Sequence, residues 1–484
     1  MSDITRVSRI DVALFLVLFT LYMFSAGGHL YAIDELLIYA TSESLVTHGT
    51  FSLLGEEPLF RLLNEPFYGY SKFGLLQPLL ASPLIVFAKL VGIGGWVLVD
   101  LIFNPAVTAL AAVLVMRLSK DLGYPLKTSV LASLLFGVGT IAWPYAKTFN
   151  ELPLGALFLL FSIIYLHKSA SSGKNKTTLI AALSFGLAVI ARFSLLMFLP
   201  IVIMYLGLGI RKMTRRAVVV HLISFITVVL LFLVLYLGYD YLRFGSLLET
   251  GYGTFQDVSG PEYSGSILVG LYGLLFSSGA GLLIYCPIAV LFPSSIVKFS
   301  KQHRPEALLF TALFLESLLF YARLSNGLWA GWNYWGPRYL LPVLPYIVLP
   351  ISSMIDTSNK KNFVKWTIAY LFACSVLVNL LAVLVDFNKG FELLWAVWRV
   401  TMVDSLWNPS YSPIATHWNI IFTPNALSAL YPTGPPSIEA RGIPSIIDSY
   451  LYYKFGLPAV IALLVLMVLE ISILVRLLKV KKRT

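Results

Sequence analysis

The stretch GHLYAIDELLIYATSESLVTHGT, residues 28–50, decides how this chain is read. An apolar run at 12–24, preceded by Arg6 and Arg9, leads to Gly27-Gly28 and delivers the acidic pair Asp34-Glu35 to the place where a membrane-crossing helix would emerge. An acid-rich tract follows, with Glu43, Glu56, Glu57 and Glu65, and Tyr70-Ser71-Lys72-Phe73-Gly74 then leads back into apolar sequence. Carboxylates are costly inside hydrocarbon. A pair placed just beyond a span therefore points to chemistry at the edge of the bilayer.

The rest of the chain fits a membrane setting. Of 484 residues, 58% are hydrophobic and only 12% charged, with a mean hydropathy of +0.81. A soluble domain of this length does not have that composition. Cys286 and Cys374 lie far apart in apolar runs, which excludes a disulfide framework or a cysteine metal cluster. The net charge of +11 comes from short basic clusters between apolar runs. That is the positive-inside pattern of membrane proteins, not a nucleic-acid surface. Run 12–24 has the flanks of a cleavable signal, but the many spans that follow favour an uncleaved first helix.

Twelve spans are expected, near 10–28, 97–118, 127–146, 151–168, 177–192, 194–210, 217–240, 279–298, 306–323, 339–356, 363–386 and 455–477. Residues 177–210 are too long for one span at about 1.5 Å per residue and carry basic residues at both ends, so they read as a hairpin turning near Arg192. The apolar stretch 74–95 sets the parity of everything after it. Read as re-entrant or surface-lying, it leaves 23 Lys/Arg against 5 Asp/Glu on the cytoplasmic side and 12 against 17 outside; read as spanning, it moves every later basic loop outside. The short-loop rule for Lys and Arg selects the first. Residues 264–278, glycine-rich and broken, read as a second re-entrant piece. The chain is thus an all-α polytopic membrane protein of about twelve transmembrane helices, with re-entrant or interfacial helices in the first outer loop. Its parts are a catalytic membrane module at 1–386 with first outer loop 29–96, an aromatic and proline-rich extracytoplasmic loop at 387–452, and a last helix with a basic tail at 453–484. Both termini lie in the cytoplasm.

Residues able to carry chemistry gather on the outer side. Asp34 reads either as the N-cap of an interfacial helix at 35–48 that stops at Gly49, or as a general base that takes a proton from an attacking hydroxyl. Glu35 is the weaker base candidate, since it also suits the first turn of a helix. Glu151, at the turn between the third and fourth spans, is a second carboxylate or a headgroup-facing boundary residue. The pair could hold a divalent metal, but no ligand spacing demands one and no cofactor is indicated. Arg192 and Arg338 suit a lipid phosphate better than lysine would, because the guanidinium forks onto two oxygens; the alternative is a snorkelling anchor. Arg338 closes the run Trp329-Ala330-Gly331-Trp332-Asn333-Tyr334-Trp335-Gly336-Pro337-Arg338-Tyr339, where Trp335 is expected to steady the guanidinium. Lys72 and Arg323 are further cation candidates. Glu316 and Glu470, inside spans, are expected to face the bundle.

In the order and membrane side of these pieces the chain resembles the GT-C superfamily of membrane glycosyltransferases. It looks most like bacterial and archaeal relatives of protein O-mannosyltransferase and of the lipid A aminoarabinose transferase. The matching pieces are Asp34-Glu35 with Tyr39, His48-Gly49-Thr50-Phe51, Tyr70 to Gly74 running on to Pro78 and Pro83, Asn150-Glu151, Arg192, Gly270 to Ser277 with Pro287, and Gly336-Pro337-Arg338-Tyr339 with Pro342 and Pro345. The resemblance implies an inverting hexosyl or pentosyl transferase of the cell membrane. It would use a polyprenyl-phosphate sugar as donor and a lipid, glycan or protein as acceptor. Asp34 then matches the catalytic aspartate of the first loop, and Lys72 matches a lysine near the carrier phosphate. Glu151 stands where relatives often carry aspartate, and Tyr39 joins the donor-side residues. A polymerase or ligase of lipid-linked glycans is the nearer alternative and a flippase the more distant one, since the charges collect at one face and no repeat is visible.

Overall fold

The computed structural model describes residues 7–56, 69–210, 213–251, 263–325, 327–331, 335–358, 362–422 and 447–480. Glu57, Glu65, Trp332, Pro424, Pro432, Pro435 and Pro436 lie outside them. The described chain is helical, apart from an isolated bridge between Ser52 and Tyr70.

Eight of its helices are long and apolar enough to cross a membrane: Gly95–Asp121, Leu152–Ser172, Phe193–Ile210, Arg215–Phe244, Arg304–Ala322, Arg338–Asp356, Asn362–Leu384 and Tyr450–Lys479. The other regions read as spans form shorter or interrupted helices. They are Arg9–Ser25, Leu126–Gly137 with Ala142–Ala146 after it, Asn175–Ala191, and Pro287–Ser300. Leu76–Val91, with Pro83 inside it, has 16 residues. It is about 24 Å long, short of a hydrocarbon core of about 30 Å.

In chain order the elements used below are α1 (Arg9–Ser25), α2 (Ile33–Thr47), α3 (Leu76–Val91), α4 (Gly95–Asp121), α5 (Leu152–Ser172), α6 (Asn175–Ala191), α7 (Phe193–Ile210), α8 (Arg215–Phe244), α9 (Arg304–Ala322), α10 (Arg338–Asp356) and α11 (Tyr450–Lys479). α1 opens with a capping box, in which Ser8 and Asp11 satisfy each other's backbone N–H groups. Asp11 also accepts from Arg117 at 3.0 Å, which ties α1 to α4. α6 packs between α5 and α8, α1 lies against α4 and α11, and α2 lies on α3.

Burial separates core helices from lipid-facing ones. α4 and α10 are mostly enclosed, whereas α8 and α11 turn apolar side chains such as Leu230, Val234, Val465 and Val468 outward. In water each such side chain would forgo about 1.5–3 kcal/mol of burial; against lipid tails there is no such loss. The chain is therefore a multi-pass membrane protein.

Its two ends meet. The Tyr450 amide donates to the Ala26 carbonyl at 2.9 Å, Ser449 Oγ to Phe24 at 2.7 Å, and Thr20 Oγ1 to Glu470 at 3.1 Å, so Glu470 does face the bundle. Residues 387–422 of the aromatic loop form short helices at Phe387–Glu392, Met402–Trp407 and Pro413–Phe422. It docks on the bundle where Leu406 accepts from the amide of Gly279 at 3.1 Å.

Candidate active site

The start of α2 differs from the sequence reading, and the difference makes the site. The helix begins at Ile33, and its N-cap, Ala32, has no side-chain cap. Glu35, at the third helical position, reaches back to the loop before the helix: its Oε2 accepts from the Tyr31 amide at 3.1 Å. The same oxygen accepts from the Phe149 amide at 3.1 Å. Glu35 thus joins the first loop to the 147–151 turn. Asp34 is left off capping duty, and Arg338 Nη1 donates to its Oδ2 at 3.0 Å while the Lys72 ammonium stands 3.5 Å from Oδ1.

The 147–151 turn is fixed through its backbone. Gln77 donates to the Phe149 carbonyl at 2.9 Å, and Asn104 to the Asn150 carbonyl at 2.8 Å. The turn holds Glu151, just before the first helical residue of α5, where Arg192 Nη1 donates to it at 2.7 Å. Arg192 breaks the chain between α6 and α7 with extended φ −149° and ψ 107°, as the hairpin reading expects. Its Nε donates to Ser194 at 3.0 Å. Tyr339 lies between the two arginines, its ring 5.5 Å from the Arg192 guanidinium and 5.1 Å from that of Arg338. It stacks in turn on Tyr321 at 4.4 Å.

Lys72, Glu151 and Arg192 line a cavity of about 600 Å³ whose other walls are largely apolar, with Phe193, Leu196, Met197, Tyr236 and Phe320 among them. Asp34 joins this wall through Lys72. Three cations against two carboxylates leave the site biased toward an anion.

The two carboxylates are held differently. Burial opposes the charge of Asp34, but Lys72 and Arg338 outweigh it and keep the carboxyl below the ordinary range. At Glu151 burial prevails over Arg192 and pushes the carboxyl up to about 7, with the nearby charge of Asp34 adding to the rise. Burial likewise lifts Glu35 to about 7, against its two backbone donors.

Five residues singled out in the sequence therefore meet: Asp34, Lys72, Glu151, Arg192 and Arg338. Two do not join them. Tyr39 donates to Glu43 at 2.7 Å and meets Trp96 edge-on, in the packing of α2. Trp335 packs against Tyr285 and His417 at ring distances of 5.1 and 4.7 Å, and the ring under the Arg338 guanidinium is Tyr339. Gly331, at φ +86°, makes room for Arg338, whose Cγ and Nε would stand 2.6 Å from a Cβ there. Tyr321, Ser194 and Tyr236 were missed, since only the fold brings them to the motif residues.

Asp34 and Glu151 each already face one or two cationic side chains. Ligand types converge elsewhere: His29, Asp386 and Asp448 bring ligand atoms within 4.8 Å of one another. There Lys147 Nζ, 2.6 Å from Asp448 Oδ2, already supplies positive charge.

The sequence matches no family model and no curated protein. The fold is GT-C-like, as the two structures that follow show. Among solved structures, ArnT from Cupriavidus metallidurans in the apo state superposes with a TM-score of 0.53 at 14% identity, covering 87% of this chain and 75% of that one. An Archaeoglobus fulgidus oligosaccharyltransferase, crystallised with Zn and sulfate, superposes with a TM-score of 0.52 at 12% identity over 80% of this chain. The match spans 55% of that longer protein.

Proposed function

We propose that the protein is a membrane glycosyltransferase that moves a hexosyl or pentosyl group from a polyprenyl-phosphate donor to a hydroxyl of a lipid, glycan or protein. The observation that carries this reading is Asp34, ionised and held between Arg338 and Lys72, with Lys72 itself a wall of an aromatic and apolar cavity that Arg192 also lines. Charge sorting along the sequence supports an extracytoplasmic site with both termini in the cytoplasm. In this reading residues 1–386 form the catalytic module.

The chemistry follows from the charges. The acceptor oxygen bonds to the anomeric carbon as the bond from that carbon to the phosphate oxygen breaks, with inversion. The electron pair leaves on polyprenyl phosphate, where Lys72, Arg192 and Arg338 offset the developing charge. Asp34 accepts the hydrogen bond of the acceptor hydroxyl and takes its proton as the new bond forms. A donor phosphate would compete with Asp34 for Lys72 and Arg338, so donor binding itself would raise the basicity of Asp34. The isoprenoid tail, held among Phe193, Leu196 and Met197, keeps the anomeric carbon in place.

The test is release of free polyprenyl phosphate from a polyprenyl-phosphate sugar by the purified protein. Asp34→Asn keeps the size of the side chain and removes the base, so turnover should fall on the order of 10²-fold or more with normal recovery of folded protein. A variant keeping more than half of wild-type turnover would reduce Asp34 to a structural partner of Arg338.

A further inference from the structure

Arg243, in the last turn of α8, is 4% exposed. It is not a wall of the cavity, yet it is aimed at the loop that supplies Lys72. Its Nη1 donates to the Phe73 carbonyl at 3.1 Å and also to the Ser71 carbonyl. These carbonyls stand on either side of Lys72. Its Nη2 donates to Asp240 one turn back, and its guanidinium lies 3.8 Å from the ring centre of Tyr239. A planar fork with several fixed donors can hold two backbone carbonyls and a carboxylate at once; an ammonium is a point charge and cannot reproduce that plane.

The same short turn is gripped from other sides. Ser71 Oγ accepts from the Phe73 amide at 3.2 Å. A Cβ on Gly74 would run into the Ile190 carbonyl, so the turn lies flat on the end of α6, next to Arg192. Gly251, at φ +79°, closes over Lys72, whose Cβ and Cα would stand 3.1 and 3.2 Å from an added Cβ. The backbone on either side of Lys72 is thus fixed by buried polar contacts, and its long side chain runs from there to Asp34.

We propose that Arg243, oriented by Asp240, is a positioning residue for Lys72, setting where its ammonium stands between Asp34 and the donor phosphate. The proposal rests on the reading of Lys72 as a phosphate-binding residue. It gives α8 a second task, since Tyr236, two turns earlier on this helix, is a wall of the same cavity.

A double-mutant cycle separates positioning from plain structural support. Undecaprenyl phosphate binding is measured in nanodiscs for wild type, Arg243→Gln, Lys72→Met and the double variant, with Arg243→Lys alongside. Arg243→Gln should weaken binding about 10- to 100-fold, the scale of a displacement near 1 Å, and should change nothing further once Lys72 is methionine. Arg243→Lys, charged but unable to fork, should fall between Arg243→Gln and wild type, and it carries the cycle if the glutamine variant does not fold. Additive losses, or full affinity in Arg243→Gln while Lys72→Met is impaired, would overturn the positioning role. Full affinity in Lys72→Met would overturn the reading of Lys72 itself, and the clamp with it.

Discussion

Asp34 and Glu151 belong to one charged cluster but answer to different terms, and pH tells them apart. Asp34 has two cations and stays ionised well below neutral pH. Glu151, with one cation and full burial, is lifted to about 7. For an acid raised in the fold, the protonated form is the favoured one, so the gain is complete below the ordinary carboxylate range and is lost as pH rises through about 7. Over that window Glu151 becomes negative and competes with the donor phosphate for Arg192. Affinity for a polyprenyl-phosphate sugar, a phosphodiester whose own charge is constant there, should fall as pH rises from 6 to 8. Glu151→Gln should flatten that slope, and an unchanged slope in this variant would assign the titration to another group, Glu35 being the next candidate.

At the scale of elements, the site depends on backbone devices that place charged side chains. Gly331 is one of them: its φ of +86° and its closeness to Arg338 both require glycine. Gly331→Ala should cost about 1–2 kcal/mol in strain and displace the guanidinium from Asp34. The expected result is a modest drop in thermal stability with a much larger loss of turnover; a loss of stability alone would separate Gly331 from the site. The same scale shows how far the sequence can be read. Asp34, Lys72, Glu151, Arg192 and Arg338 were legible because each is a charge next to an apolar run, and such charges must find a partner or a function. Tyr39 and Trp335 had the right neighbours in sequence but face packing partners, because helical phase and the course of a turn decide where a ring points. The N-cap reading of Asp34 fails because the helix begins at Ile33, one residue before it, which puts Asp34 inside its first turn. Arg243 and Asp240 gave only the signal of opposite charges three residues apart, an ordinary helix pair. Their grip on residues 71–73 exists only in the folded chain.

The whole molecule is closed by a buried polar hub that no local pattern announces. Asp448, just before the last helix, accepts from Lys147 at 2.6 Å, from Tyr31 at 2.8 Å and from His29 at 3.0 Å, and Lys147 donates also to the Val383 carbonyl at 3.2 Å. The contacts join the first loop, the turn that carries Glu151, the end of the helix Asn362–Leu384 and the root of α11 in one place. Burial opposes the charge of Asp448, yet Lys147 and His29 outweigh it and hold the carboxyl well below its usual range. Burial alone would lower His29, but Asp448 and Asp386 raise it to about 9. The stabilisation from Asp448 is therefore present above the ordinary carboxylate range and is lost as the solution is acidified. Asp448→Asn would leave the Lys147 ammonium, itself fully buried, without its counter-charge. Removing one partner of a buried pair costs about 3–5 kcal/mol, while replacing both by apolar groups can be close to neutral. Thermal unfolding in detergent should accordingly show a large loss for Asp448→Asn and for Asp448→Leu, and a recovery when either is combined with Lys147→Met. A double variant no more stable than Asp448→Leu alone would mean that Tyr31 and His29, rather than the Lys147 charge, hold the last helix to the first.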